Sequence, residues 1–384
     1  MTKTNNKIGL YLHVPFCVRK CNYCDFLSFS CSDESILAEY ADALVMEIES
    51  RYTEWPYRVV DSIFIGGGTP SLMASKDMVR VINAIRNNFL VSEDCEITIE
   101  SNPGTLTDEK LEDYLNCGIN RLSIGVQSFD NTLLKMLGRI HDKNEAFNAI
   151  RMARKAGFQN VNVDMMFGIP GQTEKMWRDS FRQCLFQKPE HVSFYSLQVE
   201  EGTRIHKMIY EDKILSETPP TLDRRMYHDG LIMLEEAGYH QYEISNAALA
   251  GYECRHNLKY WSYEEYLGLG PGASSFIGGH RFKNCENVPE YLKYIKAGKP
   301  PVRPDDVENY SQRDEMGVYM FTGLRKREGV NINDFEDTFG VDFFKVYDPG
   351  ILKTLEGLLE SEGLNLRLTD KGFDVANKVM AAFV

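Results

Sequence analysis

The chain has no apolar run long enough to cross a membrane as a helix, which takes about 20 consecutive apolar residues. It is short of positive charge, with 43 lysines and arginines against 56 aspartates and glutamates and a net charge of −13. That balance excludes a general nucleic-acid binder, because phosphate binding needs a cationic surface. A local basic pocket for a carboxylate-rich ligand is still allowed. A disulfide framework is also missing: the nine cysteines are an odd number, and only the first three are closely spaced. This usage suits a reducing compartment. The stretch from Met1 to Lys7 is polar, and the apolar run after it is too short for a signal peptide. The expectation is a soluble cytoplasmic protein. With 43% hydrophobic and 26% charged residues the chain is globular. Its 384 residues exceed one ordinary core, so a large α/β domain plus a smaller one is expected.

Short apolar runs then alternate with amphipathic stretches. Ile8–Val14, Val59–Ile65, Cys95–Glu100, Asn120–Ile124, Val161–Phe167 and His191–Leu197 read as strands, being rich in β-branched and aromatic residues and bounded by Gly, Pro or Asn. Ser35–Arg51, Ser75–Phe89, Thr107–Cys117, Lys143–Ala156 and Thr173–Phe186 carry helical periodicity, with Ser75 and Thr107 expected as N-caps. Such alternation predicts a parallel sheet with outer helices, closed or nearly closed as a barrel. In barrels the chemistry gathers at the C-terminal ends of the strands.

Polar or glycine-rich groups follow every strand. After the first come Cys17, Cys21 and Cys24, spaced C-x3-C-x2-C. Three soft ligands on one loop suit an iron–sulfur cluster with one iron left open, or a structural zinc completed by His13. After the second comes Gly66-Gly67-Gly68-Thr69-Pro70, where backbone N–H groups could approach a ligand. Glu100 could hold a ribose diol, and Gln127 could bond a nucleotide. Arg139 and Asp164 are unremarkable alone, but they share the rim with the cysteines.

These residues resemble the radical SAM superfamily: the cysteine spacing with Tyr23 before the last cysteine, and the glycine motif of Gly66–Pro70. More narrowly, Tyr11-x-His13-x-Pro15-Phe16-Cys17, Glu100-x-Asn102-Pro103, Gly125-Val126-Gln127-Ser128-Phe129 and Asp164-x2-Phe167-Gly168-x-Pro170-Gly171 resemble the branch of oxygen-independent coproporphyrinogen III dehydrogenase. The resemblance implies a partial (β/α)6 TIM-like barrel with a [4Fe–4S] cluster on the three cysteines. It also implies S-adenosylmethionine held by Tyr11, Tyr23, Gly67, Gly68, Thr69, Glu100, Gln127, Arg139 and Asp164. The dehydrogenase has a fourth cysteine where this chain has Phe26, and a long extension where only ten residues precede Tyr11. Cys21-Asn22-Tyr23-Cys24-Asp25-Phe26 is closer to the haem-chaperone relatives, the HemW family.

In the second half, Leu222–Glu236 reads as a helix and Tyr239–Ile244 as a strand. If the next segment is helical, His256 shares a face with Tyr260, and Asn257 with Trp261. The string H-N-x-x-Y-W resembles the one carried by the haem chaperones, which implies haem binding by His256, Asn257, Tyr260 and Trp261. Cys254 is a weaker candidate ligand. The alternative is that the segment closes the barrel and never touches iron. Gly268–Phe276 is a glycine-rich loop without the lysine of a P-loop, expected to approach the cofactor rim. Pro300–Pro304 looks like a linker. Helical patterns at Asp314–Leu324, Ile332–Phe339, Ile351–Ser361 and Phe373–Phe383, with a strand at Leu364–Leu368, predict a small, mostly helical, winged-helix-like C-terminal domain. The expected division is 1–250 for the core barrel, 251–305 for a barrel-closing region and linker, and 306–384 for a HemN-type domain.

The function implied is a haem chaperone that delivers haem to recipient haemoproteins, with an electron donor and a transient membrane-associated partner. Two other readings stand beside it. One is the dehydrogenase, which oxidatively decarboxylates two propionates. The other is a cluster-bearing electron-transfer protein with a vestigial nucleotide pocket.

Overall fold

The computed structural model describes residues 6–31, 33–55 and 57–384. Strands β1 (Lys7–Val14), β2 (Val59–Gly67), β3 (Leu90–Ser101), β4 (Arg121–Gln127), β5 (Val161–Phe167) and β6 (His191–Ser196) lie side by side in chain order, all parallel. Helices α1 (Glu34–Glu54), α2 (Ser75–Asn88), α3 (Asp108–Asn116), α4 (Asn131–Met136), α5 (Lys143–Ala156) and α6 (Glu174–Phe186) fill the crossovers, and α7 (Pro220–Glu236) follows β6. Parallel strands are covered on both faces, and all seven residues of β4 are buried, the polar ones included. Leu10, Ile63, Ile97, Leu122 and Val163 from the strands pack with Leu44, Ile82, Leu111 and Ile150 from the helices.

Thr107 caps α3 as expected, accepting the N–H of Lys110. Ser75 does not cap α2. It is the first helical residue, behind Ala74, and its hydroxyl donates to the Asp113 carboxylate at 2.5 Å. A carboxylate on the neighbouring helix is a stronger acceptor than a helix-end amide is a donor.

The sheet runs past β1 on its other side. β7 (His240–Glu243) and β8 (Asn246–Ala248) form an antiparallel edge beyond β6. β9 (Tyr266–Leu269) pairs parallel with β1, and β10 (Ser274–Ile277), β11 (His280–Lys283) and β12 (Val307–Glu308) continue antiparallel. The order β12-β11-β10-β9-β1-β2-β3-β4-β5-β6-β8-β7 leaves β12 and β7 as edges, so the barrel is partial. The glycine-rich loop expected at the cofactor rim is instead β9 and its turn. A Cβ on Gly268 would sit 2.3 Å from the Ser274 carbonyl, and one on Gly270 (φ +90°) 2.6 Å from the His13 carbonyl. These glycines let backbones pack together.

Helix α8 (Arg255–Trp261) sits inside the barrel against the early residues of the strands: His256 meets Gly9 of β1 and Ser62 of β2. It therefore plugs the end opposite the strand exits. Helix α9 (Val288–Lys296) packs on α1.

The C-terminal part has its own core of Met316, Met320, Phe335, Phe343, Leu366 and Val379. Helices α10 (Gln312–Gly323), α11 (Ile332–Phe339), α12 (Phe343–Val346) and α13 (Pro349–Thr354) surround a sheet of β13 (Val330–Asn331), β14 (Leu359–Glu362) and β15 (Asn365–Leu368). The helix expected over Ile351–Ser361 ends at Thr354, and its last residues form β14, because Gly357 (φ +79°) and Gly363 (φ +62°) turn the chain on either side. The final helix is split at Val375, whose backbone is not helical (φ −127°, ψ 30°).

A candidate cluster and nucleotide site at the strand exits

The cysteine loop leaves the C-terminal end of β1 and is clamped on two sides. The N–H groups of Gly68 and Thr69 donate to the Val14 and Phe16 carbonyls at 2.8 and 2.7 Å. On the other side Asn22 donates from its backbone to Leu137 and from its side chain to Met136, at 2.9 and 2.7 Å, just past α4. Cys17, Cys21 and Cys24 are free thiols lining a cavity of about 490 Å³. Tyr23, Gly67, Gly68, Thr69, Glu100, Gln127, Arg139 and Asp164 line the same cavity. Tyr11 lies apart: its hydroxyl meets His13 Nδ1 at 2.9 Å, and it lines a neighbouring cavity.

Burial pushes the Cys17 and Cys24 thiols up; hydrogen bonds, from Thr69 to Cys17 and from the Phe26 backbone to Cys24, oppose it. Thr69 Oγ1 lies 3.5 Å from Cys17 Sγ, and Arg139 Nη1 lies 3.4 Å from Cys21 Sγ. Arg139 also donates to Asn102 and to the Gly125 carbonyl. These donors suit thiolates, which a bound metal would stabilise. His13 cannot complete a zinc site, because its Nδ1 faces Tyr11 and its Nε2 meets the Leu27 carbonyl at 2.8 Å. Among the described residues no three His, Cys, Asp or Glu side chains are gathered around one ion position. A single zinc needs sulfur at about 2.3 Å, whereas a cluster spreads its thiolates over several irons. The donor set fits the cluster.

The glycine motif works differently from its sequence reading. The Gly67 N–H goes to Glu100 Oε2 at 3.2 Å, and those of Gly68 and Thr69 go to the carbonyls of Val14 at the end of β1 and of Phe16. With these donors occupied, the motif cannot cradle an anion. A Cβ on Gly67 (φ +110°) would lie 2.7 Å from the His13 ring, and one on Gly68 2.6 Å from the Phe16 carbonyl. The glycines bring β2 against the cluster loop.

Glu100 and Asp164 are partly buried and line the cavity. Burial, then the charge of Asp164, pushes Glu100 up to about 8. Burial also raises Asp164, against a hydrogen bond from Asn162 at 2.7 Å. Two carboxylates sharing one cavity favour a proton or a cationic ligand. Gln127 adopts φ +67° in a three-residue turn closed by Ser128 N–H to the Val126 carbonyl at 2.8 Å. The turn interrupts the β4–β5 register, and Gln127 Oε1 accepts from Tyr195 at 2.8 Å. Strained turns of this kind concentrate at functional sites. Sequence reasoning missed Arg121, which lines the cavity at 2% exposure with no hydrogen bond at Nε. Its place on the same face of β4 as the predicted Gln127, two-residue steps away, was the available signal.

The radical SAM superfamily profile matches residues 11–184, and that of the HemN C-terminal domain matches residues 310–375. The heme chaperone HemW of Lactococcus lactis is 35% identical, covering 97% of this chain and 96% of its own. The HemW of Bacillus subtilis is 36% identical, covering 97% and 98%. This chain belongs to the HemW family. The solved coproporphyrinogen III oxidase (HemN) of Escherichia coli superposes with a TM-score of 0.86 over 98% of this chain and 90% of its own. At 22% identity that likeness establishes the fold, a partial radical SAM barrel with a HemN-type C-terminal domain.

In this HemW-family chain the H-N-x-x-Y-W segment is α8. His256 is fully buried, with Nδ1 2.9 Å from the Ser62 hydroxyl and Nε2 2.9 Å from that of Tyr260. Burial, then Lys259 and Arg121, pushes it down to about 3, so the ring is neutral. Cys254 is pushed up to about 12 by burial and points at Glu96. In this geometry neither His256 nor Cys254 offers an open ligand position, and both fit the barrel-closing alternative. Asn257 lines the cluster cavity, while Tyr260 and Trp261 line the neighbouring one. Among the described residues no helix is long and apolar enough to cross a membrane.

Proposed function

We propose that this protein is a haem chaperone, binding haem and passing it to recipient haemoproteins with the aid of a [4Fe–4S] cluster and S-adenosylmethionine. The observation that carries this reading is full-length likeness to proteins named heme chaperone, which runs through barrel and C-terminal domain alike. Phe26 supports it. Where the dehydrogenase resemblance calls for a fourth cysteine, this chain has an aromatic ring that is 66% exposed.

Cys17, Cys21 and Cys24 would hold the cluster. Thr69 and Arg139 would stabilise two of its thiolates by charge-assisted hydrogen bonds. Glu100 and Asp164 would face the positive charges of the nucleotide ligand, and Gln127 and Tyr23 would fix its orientation. When bound, the cluster would supply one-electron chemistry, and the protein's part would be to orient the ligand and exclude water. An electron donor, and a recipient in the cytoplasm or at the membrane surface, would complete the cycle. No part of this reading requires nucleic acid.

Anaerobic reconstitution tests the cofactor set: about four irons per chain are expected, and uptake of zinc alone would overturn it. Incubation with reductant, S-adenosylmethionine and coproporphyrinogen III tests the function. No protoporphyrinogen is expected, and its formation would make the protein the dehydrogenase.

A further inference from the structure

We infer that haem docks in the cleft between the cluster loop, the β10–β11 hairpin and helix α10, held by its flat faces and its carboxylates rather than by a histidine–iron bond. This rests on the haem-chaperone reading above. The cleft has a volume of about 650 Å³, within the usual range for ligand pockets. Phe26 and Leu27 of the cluster loop form one wall, and Trp261, Tyr263 and Phe276 line the rest. Aromatic rings around a slot suit a planar macrocycle.

The charge pattern points to the ligand's edge. Arg281 and Lys283 both line the cleft, in a chain whose net charge is −13. They stand two residues apart on β11, so they face the same side, roughly 7 Å apart. That spacing matches two propionates on one edge of a porphyrin. Arg281 is pre-set: its guanidinium stacks on Phe276 at 4.0 Å, and Nε and Nη2 reach Glu315 of α10, each at 3.0 Å. The guanidinium also lies against the Tyr263 ring, at 5.5 Å, and its remaining face is turned to the cleft it lines. Lys283 is paired with the half-exposed Glu286. Glu264, also in the cleft, pairs with Lys259 at 2.8 Å, a cation it shares with Asp61 at 2.9 Å, and Asp25 lines the cluster-loop side.

Iron finds no ready imidazole here. His13 is the histidine lining the cleft, and both its nitrogens are engaged. His256 holds the Tyr260 hydroxyl from inside the barrel. Ring and carboxylates are therefore the recognised features.

The full-length protein is titrated with haem, with metal-free protoporphyrin IX and with its dimethyl ester, following absorbance and tryptophan fluorescence. Haem and the free acid are expected to bind within about three-fold of each other, and the ester roughly ten-fold more weakly. Arg281→Gln is expected to weaken both acids by roughly ten-fold and to leave the ester unchanged. Glu315→Gln breaks the same ion pair but frees the guanidinium, so haem binding holds or tightens. Equal weakening by both variants would mean that the pair merely fixes the domain seam, and would overturn the inference. So would loss of the Soret change in folded His256→Ala with Arg281→Gln unaffected. If no porphyrin binds the unaltered protein, the haem-chaperone reading itself falls.

Discussion

Glu100 shows how one side chain lining the cavity couples the site to pH. Its carboxyl holds a proton up to about pH 8 in the folded protein, while the unfolded chain releases it near the ordinary value of about 4.3. Unfolding therefore releases a proton across that window, and stability falls as pH rises through it, by at most about 1.4 kcal/mol per pH unit. In the metal-free protein, Glu100→Gln should flatten the fall in melting temperature between those limits; an unchanged slope would show that another group carries it. Gly68→Ala should cost about 2 kcal/mol or more, because its Cβ meets backbone rather than a yielding side chain, and should lower iron uptake. Denaturant unfolding and iron analysis check both effects. His256→Ala should cost about 1–3 kcal/mol by leaving the buried Ser62 hydroxyl unpaired, while haem binding per folded molecule persists. The cysteines, Glu100, Gln127 and Asp164 were legible because each lies on or just past a strand that the apolar pattern reveals. The work of Gly67 and His256 was not, since it depends on which atoms already occupy their hydrogen-bonding groups.

At the scale of elements, α8 is held by a residue far away in the chain. The Glu96 carboxylate of β3 accepts the backbone N–H groups of Arg255 and His256 at 3.0 and 3.1 Å, and the Cys254 thiol points at it. This caps a helix lacking a cap of its own. Glu96→Ala should destabilise the protein by about 1–3 kcal/mol, read as a lower denaturant midpoint. An unchanged midpoint would show that α8 is held by packing alone. The six barrel strands and most of their helices could be read from periodicity, because each is long and two-sidedly covered. β9 could not: its four residues become a strand only because β1 offers an unpaired edge. β14 was misread as helix because its alternation is only four residues long and the glycines on either side set its register.

At the scale of the molecule, one sheet runs from β12 to β7, and its two ends serve different surfaces. The strand exits gather the cysteines and carboxylates, whereas the β9–β11 extension faces α10 across an aromatic cleft. The cluster loop borders both cavities, through its cysteines on one side and Leu27 on the other. In this arrangement haem and nucleotide would sit on opposite sides of one loop, so occupancy of one site would be felt at the other. The most direct measurement is transfer. Full-length, anaerobically reconstituted protein is loaded with haem and mixed with an apo-haemoprotein whose Soret band is distinct. The account predicts about one haem per chain, leaving for the acceptor at a rate above that of free haem. Failure to bind haem, or retention of haem that no acceptor can withdraw, would contradict it.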